Sequence, residues 1–315
     1  MKEMDKYDWF PTESAHKQYP MKIVRGDLIF SDGTSIYIPD GKVFNNGWGN
    51  FGSTHIVGEK FKLLPVELEI LWFSFVEDKF YLGSFDLPIV QLEQAFKQGF
   101  INPHNGEKST YDSIITGLAP NGNISLWIAG AGIVQELVRF QAQAIELDQA
   151  IIDKVLPGDR KTYIQTVLES YLDRSTLNII SEYGLNSTLW QRYAEQFLWQ
   201  PKVTGVKYST MWLFMNNGEK EFLNASGIMQ IREHRATPKE IRIEWGKPSE
   251  RYMADVKFNE AEIFAVFDEV CKDNAKKSLK LWFDINPNLY TVSIYLQDSQ
   301  YSLKLEKAEA KVYRL

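Results

Sequence analysis

Between Pro65 and Phe96 the apolar positions change period twice. From Glu67 the chain alternates Glu67 and Glu69 with Leu68 and Ile70, then turns wholly apolar through Phe75, as a strand does on passing from a half-exposed position into a core. Lys79 to Phe85 reads as its hairpin partner. Pro88 then opens a helix in which Ile89, Leu92 and Phe96 keep helical spacing until Gly99. The same order returns near the C-terminus in Pro238, Ile241, Ile243, Trp245, Tyr252, Ile263 and Phe267. In both stretches a Trp lies seven positions after the Pro, and an aromatic lies fifteen positions after the Tyr. Each stretch closes on a pentad, Ile124-Ser125-Leu126-Trp127-Ile128 and Leu279-Lys280-Leu281-Trp282-Phe283. The pattern predicts a duplicated β-rich unit in which Trp72 matches Trp245 and Trp127 matches Trp282.

Met21 to Phe44 breaks into short apolar pieces divided by Gly-Asp, Asp-Gly and Pro-Asp-Gly turn signals, a strand meander. Ile133 to Leu147 fits both periods; its expected counterpart, Tyr290 to Leu296, is rich in β-branched residues and decides for strand. Pro157 to Pro201 differs. Tyr163, Val167 and Tyr171, then Ile179, Ile180 and Tyr183, keep helical spacing up to a Gly184 cap, and Thr188 opens a capping box before Tyr193, Phe197 and Leu198. The fold class is α+β: two related antiparallel β-sheet units, each with a packed helix, joined by a helical insert. The boundaries expected are 1–150 for the first unit, 151–205 for the insert and 206–315 for the second unit.

Aromatic residues make up 14% of the chain, nine of them Trp, which suits packed sheet faces first and recognition surfaces second. A net charge of −6 argues against nucleic acid, whose phosphates need a basic face. With Cys271 alone, an intrachain disulfide and a multi-cysteine metal site are excluded, and its helical setting beside Phe267 and Val270 predicts a buried, inert thiol. No apolar run reaches the length of a membrane span, and Met1 to Asp8 lacks the apolar core of a secretory signal. The expectation is a cytoplasmic chain as it stands, and a periplasmic lipoprotein only if the N-terminus was trimmed.

Several short motifs occur together in the first part of the chain: Trp9-Phe10-Pro11, Tyr19-Pro20, Gly47-Trp48-Gly49, Leu64-Pro65, the run from Trp72 to Tyr81, Leu87-Pro88, Gly117 to Gly122 and Leu126-Trp127. With these, the first two thirds of the chain resembles the bacterial domain-of-unknown-function family 2931. Leu189 to Trp199 is similar to the tail of its members. The resemblance implies no established activity; many members look like lipoproteins, and some are encoded near secreted antibacterial toxins. The chain departs from the lipoprotein pattern in lacking a lipobox cysteine.

Catalytic motifs are largely missing. Gly47 to Gly52 is a literal G-x-G-x-x-G, but Ser53 to Gly58 reads as loop and strand where a dinucleotide site needs a helix N-terminus, so a glycine-rich loop displaying Trp48 and Phe51 is expected. His16, His55, His104 and His234 form no i, i+4 pair for zinc. Glu67 and Glu69 share one strand face, the alternation of a solvated strand and not a catalytic dyad. The four repeated tryptophans suit core packing better than a sugar platform. Phe96 to Trp127 spans thirty-one positions and Phe267 to Trp282 fifteen, so the first copy carries about sixteen extra residues centred on Asn102 to Glu107. These observations predict no catalytic, cofactor-binding or metal site. They favour a non-enzymatic protein-binding protein, an immunity protein against a secreted antibacterial toxin being one form. The alternatives are a glycan- or ligand-binding module with an aromatic cleft and, last, an enzyme. The partner-binding candidates are Trp48, Asn50 and Phe51 in one loop, and Asn102, His104 and Glu107 in the other.

Overall fold

The computed structural model describes residues 5–55, 58–225, 233–274 and 276–315; Ile56 and Val57, part of the stretch read as strand, lie outside them. The fold is α+β and divides into two compact units, Met1–Ser187 and Thr188–Leu315. The helical stretch is shared between them.

Unit 1 begins with β1 (Tyr7–Asp8), β2 (Phe10–Ala15), β3 (Met21–Ile29), β4 (Ser35–Tyr37), β5 (Val43–Phe44) and β6 (Phe61–Lys62). The hairpin β7 (Glu67–Ser74) and β8 (Lys79–Asp86) leads into α1 (Ile89–Gln98). There follow β9 (Phe100–Ile101), β10 (Lys108–Ser109), β11 (Ser113–Leu118), β12 (Asn123–Gly130), β13 (Ile133–Gln141) and β14 (Gln143–Ile145). Helices α2 (Gln149–Val155), α3 (Arg160–Tyr171) and α4 (Arg174–Tyr183) complete it. One sheet runs β2-β11-β12-β13, with β2 and β11 parallel; the other runs β14-β8-β7-β3-β4. Asp159 and Asp173 cap α3 and α4 by accepting the amides of Thr162 and Thr176. Ile152, Val155, Ile164 and Val167 of α2 and α3 bury against Phe73, Phe75 and Phe80 of the β7–β8 hairpin.

Unit 2 comprises α5 (Leu189–Ala194), β15 (Phe197–Thr204), β16 (Tyr208–Met215), β17 (Lys220–Asn224) and β18 (His234–Arg235). It continues with β19 (Pro238–Lys247), β20 (Glu250–Lys257), α6 (Glu260–Cys271), β21 (Leu279–Asn286), β22 (Thr291–Gln297), β23 (Ser302–Lys304) and β24 (Glu309–Arg314). Phe197 and Leu198, expected in a helix, open β15 instead, and Thr188 makes no side-chain cap. A parallel partner strand competes for them: β15 pairs with β21 from Trp199 to Thr204. Residues of β15, β16, β19, β20, β21, β22 and α6 contribute to one apolar cluster, which includes the free, buried Cys271, whose thiol pKa is raised by burial.

The duplication holds in the main strand order. In each unit a first strand (β2, β15) lies parallel to the strand after the helix (β11, β21), and that strand pairs antiparallel with the next (β12, β22). In each, a hairpin (β7–β8, β19–β20) pairs on one side with β3 or β16 and on the other with β14 or β24. Trp72 and Trp245 occupy matching places: Trp72 pairs with and stacks on Tyr81 at 5.3 Å, and Trp245 does so on Tyr252 at 5.9 Å. Phe96 of α1 meets Tyr7 at 5.2 Å, and Phe267 of α6 meets Phe197 at 4.8 Å.

The pentads do not match as expected. Leu279 to Phe283 lies on β21, the counterpart of β11, whereas Ile124 to Ile128 lies on β12. Trp127 therefore corresponds to Tyr295, and Trp282 to Ile115, because Ile115 pairs with Trp127 and Trp282 with Tyr295. Likewise Ile133 to Ile145 matches β23 and β24, not β22. The extra residues of the first copy shrink accordingly. From Phe96 to Ile115 is nineteen positions and from Phe267 to Trp282 fifteen, a difference of four within the segment that forms the β9–β10 hairpin.

Candidate functional site

Four strands of each unit place one residue each in a cross-strand row on the outer face of the sheet. In unit 1 the row is Thr12, Ile115, Trp127 and Glu136; in unit 2 it is Lys202, Trp282, Tyr295 and Lys304.

The unit 1 row is sealed by the chain's own Phe44 to His55 segment. Trp48 is 6% exposed and stands edge-on to Trp127 at 4.8 Å. A Cβ at Gly117 would lie 2.3 Å from the Trp127 ring, so only glycine admits that ring beneath Trp48. Polar groups of β2 hold the segment down. Thr12 Oγ1 donates to Ser53 O and accepts from Gly52 N, both at 3.0 Å, and Ser14 Oγ donates to Gly47 O at 2.9 Å. The buried Glu13 accepts the Ser53 amide at 2.8 Å. A Cβ on Gly52 would come within 2.5 Å of Glu13, which explains that glycine of the G-x-G-x-x-G string without a phosphate.

Trp48 is thus not the displayed anchor expected, because burying its ring on Trp127 outweighs exposing it. Asn50 is part of the lock: its Nδ2 donates to Asn46 O, and Asn46 Nδ2 donates to Asn50 O and Glu13 O. Phe51 is 38% exposed and leans on Phe10 at 6.2 Å. Asn102, His104 and Glu107 sit elsewhere, in the β9–β10 hairpin, with His104 and Glu107 exposed. There the Asn102 side chain accepts the His104 amide, and the Asn105 amide group donates to Glu107. Glu67 and Glu69 form no dyad either. Glu67 accepts the Ser84 hydroxyl, and Glu69 faces Arg25 at 3.8 Å.

Among the described residues, no comparable segment covers the unit 2 row, whose Lys202 and Lys304 are exposed and whose Trp282 and Tyr295 are half-buried. Along β21 the odd positions Leu279, Leu281, Phe283 and Ile285 are buried, while Lys280 and Asp284 are exposed and Trp282 is half-buried. Trp282 Nε1 donates to Thr204 Oγ1 at 2.7 Å, and Thr204 in turn donates to Asp284, which fixes the indole on the sheet. Lys202 Nζ lies 4.8 Å from the Trp282 ring and Tyr295 5.1 Å from it. Lys304, at the other end, pairs with Glu306. The result is a cation, two rings and a cation in line, on a chain whose net charge is −6. Sequence reasoning assigned Trp282 to the core; the alternation of Lys280, Trp282 and Asp284 was the signal that it faces out.

Among the described residues there is no cluster of three or more His, Cys, Asp or Glu able to hold a metal, and no helix long and apolar enough to cross a membrane. A duplicated α+β architecture with a sealed and an open copy of one sheet face is the class of protein these features define. A family model described as protein of unknown function DUF2931 matches residues 1–187, and the chain belongs to that family. The match coincides with unit 1, and Leu189 to Trp199 falls beyond it. No curated protein and no solved structure matches the chain.

Proposed function

We propose that the protein is a non-enzymatic binding protein that uses the open face of unit 2 to hold a segment of another protein. One observation carries the reading: the row of Lys202, Trp282, Tyr295 and Lys304 is open where the same row in unit 1 is covered by a loop anchored through an aromatic ring. What unit 1 achieves within its own chain, unit 2 is built to receive from outside. Lys202, beside the Trp282 ring, favours a segment with an apolar or aromatic residue next to a carboxylate, and buried aromatic contacts concentrate binding energy. Neutralisation of a secreted toxin is the specific form of this role that the family resemblance suggests.

The test is affinity capture from the native host with wild type, a Trp282→Ala/Tyr295→Ala variant and Phe51→Ala. A stoichiometric partner retained by wild type and Phe51→Ala, and weakened by about 2 kcal/mol or more in the double variant, supports the reading. A partner held equally by all three overturns it. Saturable binding of a soluble glycan to this face, without a protein partner, would assign the rings to sugar stacking instead.

A further inference from the structure

Each unit buries a cation at the same place, and the two differ in their carboxylate partner. In unit 2, Arg235 is 1% exposed, lies 5.6 Å from the Trp199 ring and donates from Nη1 to Trp199 O at 2.8 Å. In unit 1, Lys62 is 9% exposed, lies 5.5 Å from the Trp9 ring and donates to Trp9 O at 2.5 Å. The indoles answer alike. Trp9 Nε1 donates to Leu63 O at 3.1 Å, and Trp199 Nε1 to Ala236 O at 3.0 Å, one residue after each cation and two before the matching Pro65 and Pro238. Arg235 also has an internal carboxylate: its Nε donates to Glu221 Oε2 at 3.0 Å.

Register identifies what stands in place of Glu221. Glu221 pairs with Leu213, which pairs with Ile241, three residues after Pro238. Ile36 pairs with Leu28, which pairs with Leu68, three residues after Pro65. Ile36 therefore occupies the Glu221 position, and among the described residues no carboxylate lies within ion-pair distance of Lys62. Asp8, the acid that acts on it through space, is paired with Lys60 at 3.7 Å. Lys62 Nζ donates to the carbonyls of Trp9 and Lys60, but a buried charge without a counter-charge is still costly, so burial holds the Lys62 pKa below its ordinary value.

Ile36 and Lys62 open onto a cleft of about 370 Å³, within the range of small-ligand pockets. Phe30 and Leu63 add apolar wall, and Lys6 stands at the rim. The two acids of the cleft already have partners: Asp32 accepts from the Thr34 amide and hydroxyl, and Glu59 faces Lys6 at 3.6 Å.

We infer that this cleft binds a small organic monocarboxylate, whose carboxylate takes at Lys62 the place that the Glu221 carboxylate takes at Arg235. Its hydrocarbon end lies along Ile36, Phe30 and Leu63. This site is independent of the open face of unit 2.

The experiment is titration of the full chain with hexanoate, followed by calorimetry and by the indole N–H resonance of Trp9, with hexanol and inorganic sulfate as comparison probes. Saturable hexanoate binding is expected, at least tenfold tighter than hexanol or sulfate. It should fall at least tenfold in Lys62→Met, which removes the cation. It should also fall in Ile36→Glu, which supplies the carboxylate internally; if Ile36→Glu does not fold, Lys62→Met alone decides. No saturation with hexanoate, binding unchanged in Lys62→Met, or sulfate binding as well as hexanoate would each overturn the inference.

Discussion

Unit 1 and unit 2 build the same strand order from different side chains, and the differences fall on one sheet face and around one buried cation while the packing of hairpin and helix recurs. The Trp9 and Trp199 latches, the Trp72–Tyr81 and Trp245–Tyr252 stacks and the helix contacts of Phe96 and Phe267 recur with the same chemistry. Outside them, unit 1 adds cover, with a loop over β2, β11 and β12 and helices over the β7–β8 hairpin, and gives up a carboxylate. Unit 2 keeps the carboxylate and leaves its sheet face open. A duplicated fold can therefore hold its packing constant while each copy changes what it presents to solvent.

The largest expected effect tests the shared latch and the missing carboxylate together. Glu221→Ile gives unit 2 the side chain that unit 1 has and leaves Arg235 buried without its ion pair, so it should cost about 3–5 kcal/mol in denaturant unfolding. Lys62→Met orphans no carboxylate and should cost far less, under about 1.5 kcal/mol. A loss in Lys62→Met as large as in Glu221→Ile would contradict the reading of Lys62 as a buried cation lacking a counter-charge.

Next come the paired rings Trp127 and Tyr295. Trp127 is fully buried, so Trp127→Ala should cost about 3–5 kcal/mol. Tyr295 is half-buried on the open face, and Tyr295→Ala should cost under about 1 kcal/mol. Trp282→Ala, which a core assignment would place beside Trp127, belongs instead with Tyr295, at about 1–2 kcal/mol, because its ring keeps one face toward solvent.

The cover itself falls between Trp127 and the rings of the open face. Trp48→Ala should lower stability by about 3 kcal/mol or somewhat less, since its ring seals Trp127 from one side only. Ser14→Ala, which removes one hydrogen bond to Gly47 O, should cost about 1 kcal/mol.

These contrasts also show what the chain discloses before it folds. The period changes from Glu67 to Phe96 and from Ile241 to Phe267 mark the hairpin and helix of each copy, because local alternation and helical spacing report directly on which face is buried. The pairing of first strands does not show locally. Trp9-Phe10-Pro11 and Trp199-Gln200-Pro201 match only through their parallel partners β11 and β21, and without that register the sequence aligns Trp282 with Trp127. The Gly47 to Gly52 segment misleads for a related reason: its glycines admit close contacts to β2, and nothing within the string says that Trp48 turns inward. The Lys62 cleft was invisible for the same cause, since the equivalence of Ile36 and Glu221 exists only across paired strands.

The smallest expected effect is the sharpest discriminator between the two faces. Phe51 is the aromatic of the covering segment that remains exposed, touching Phe10 at 6.2 Å while Trp48 does the sealing. Phe51→Ala should therefore change stability by less than about 0.5 kcal/mol. If partner binding resides on unit 2, the same variant should leave affinity within about twofold of wild type, because one exposed ring away from an interface carries none of its energy. A loss of affinity of tenfold or more at unchanged melting temperature would move the recognition surface to unit 1. It would make the covering segment, and not the open row of Lys202, Trp282, Tyr295 and Lys304, the part of the molecule that meets its partner.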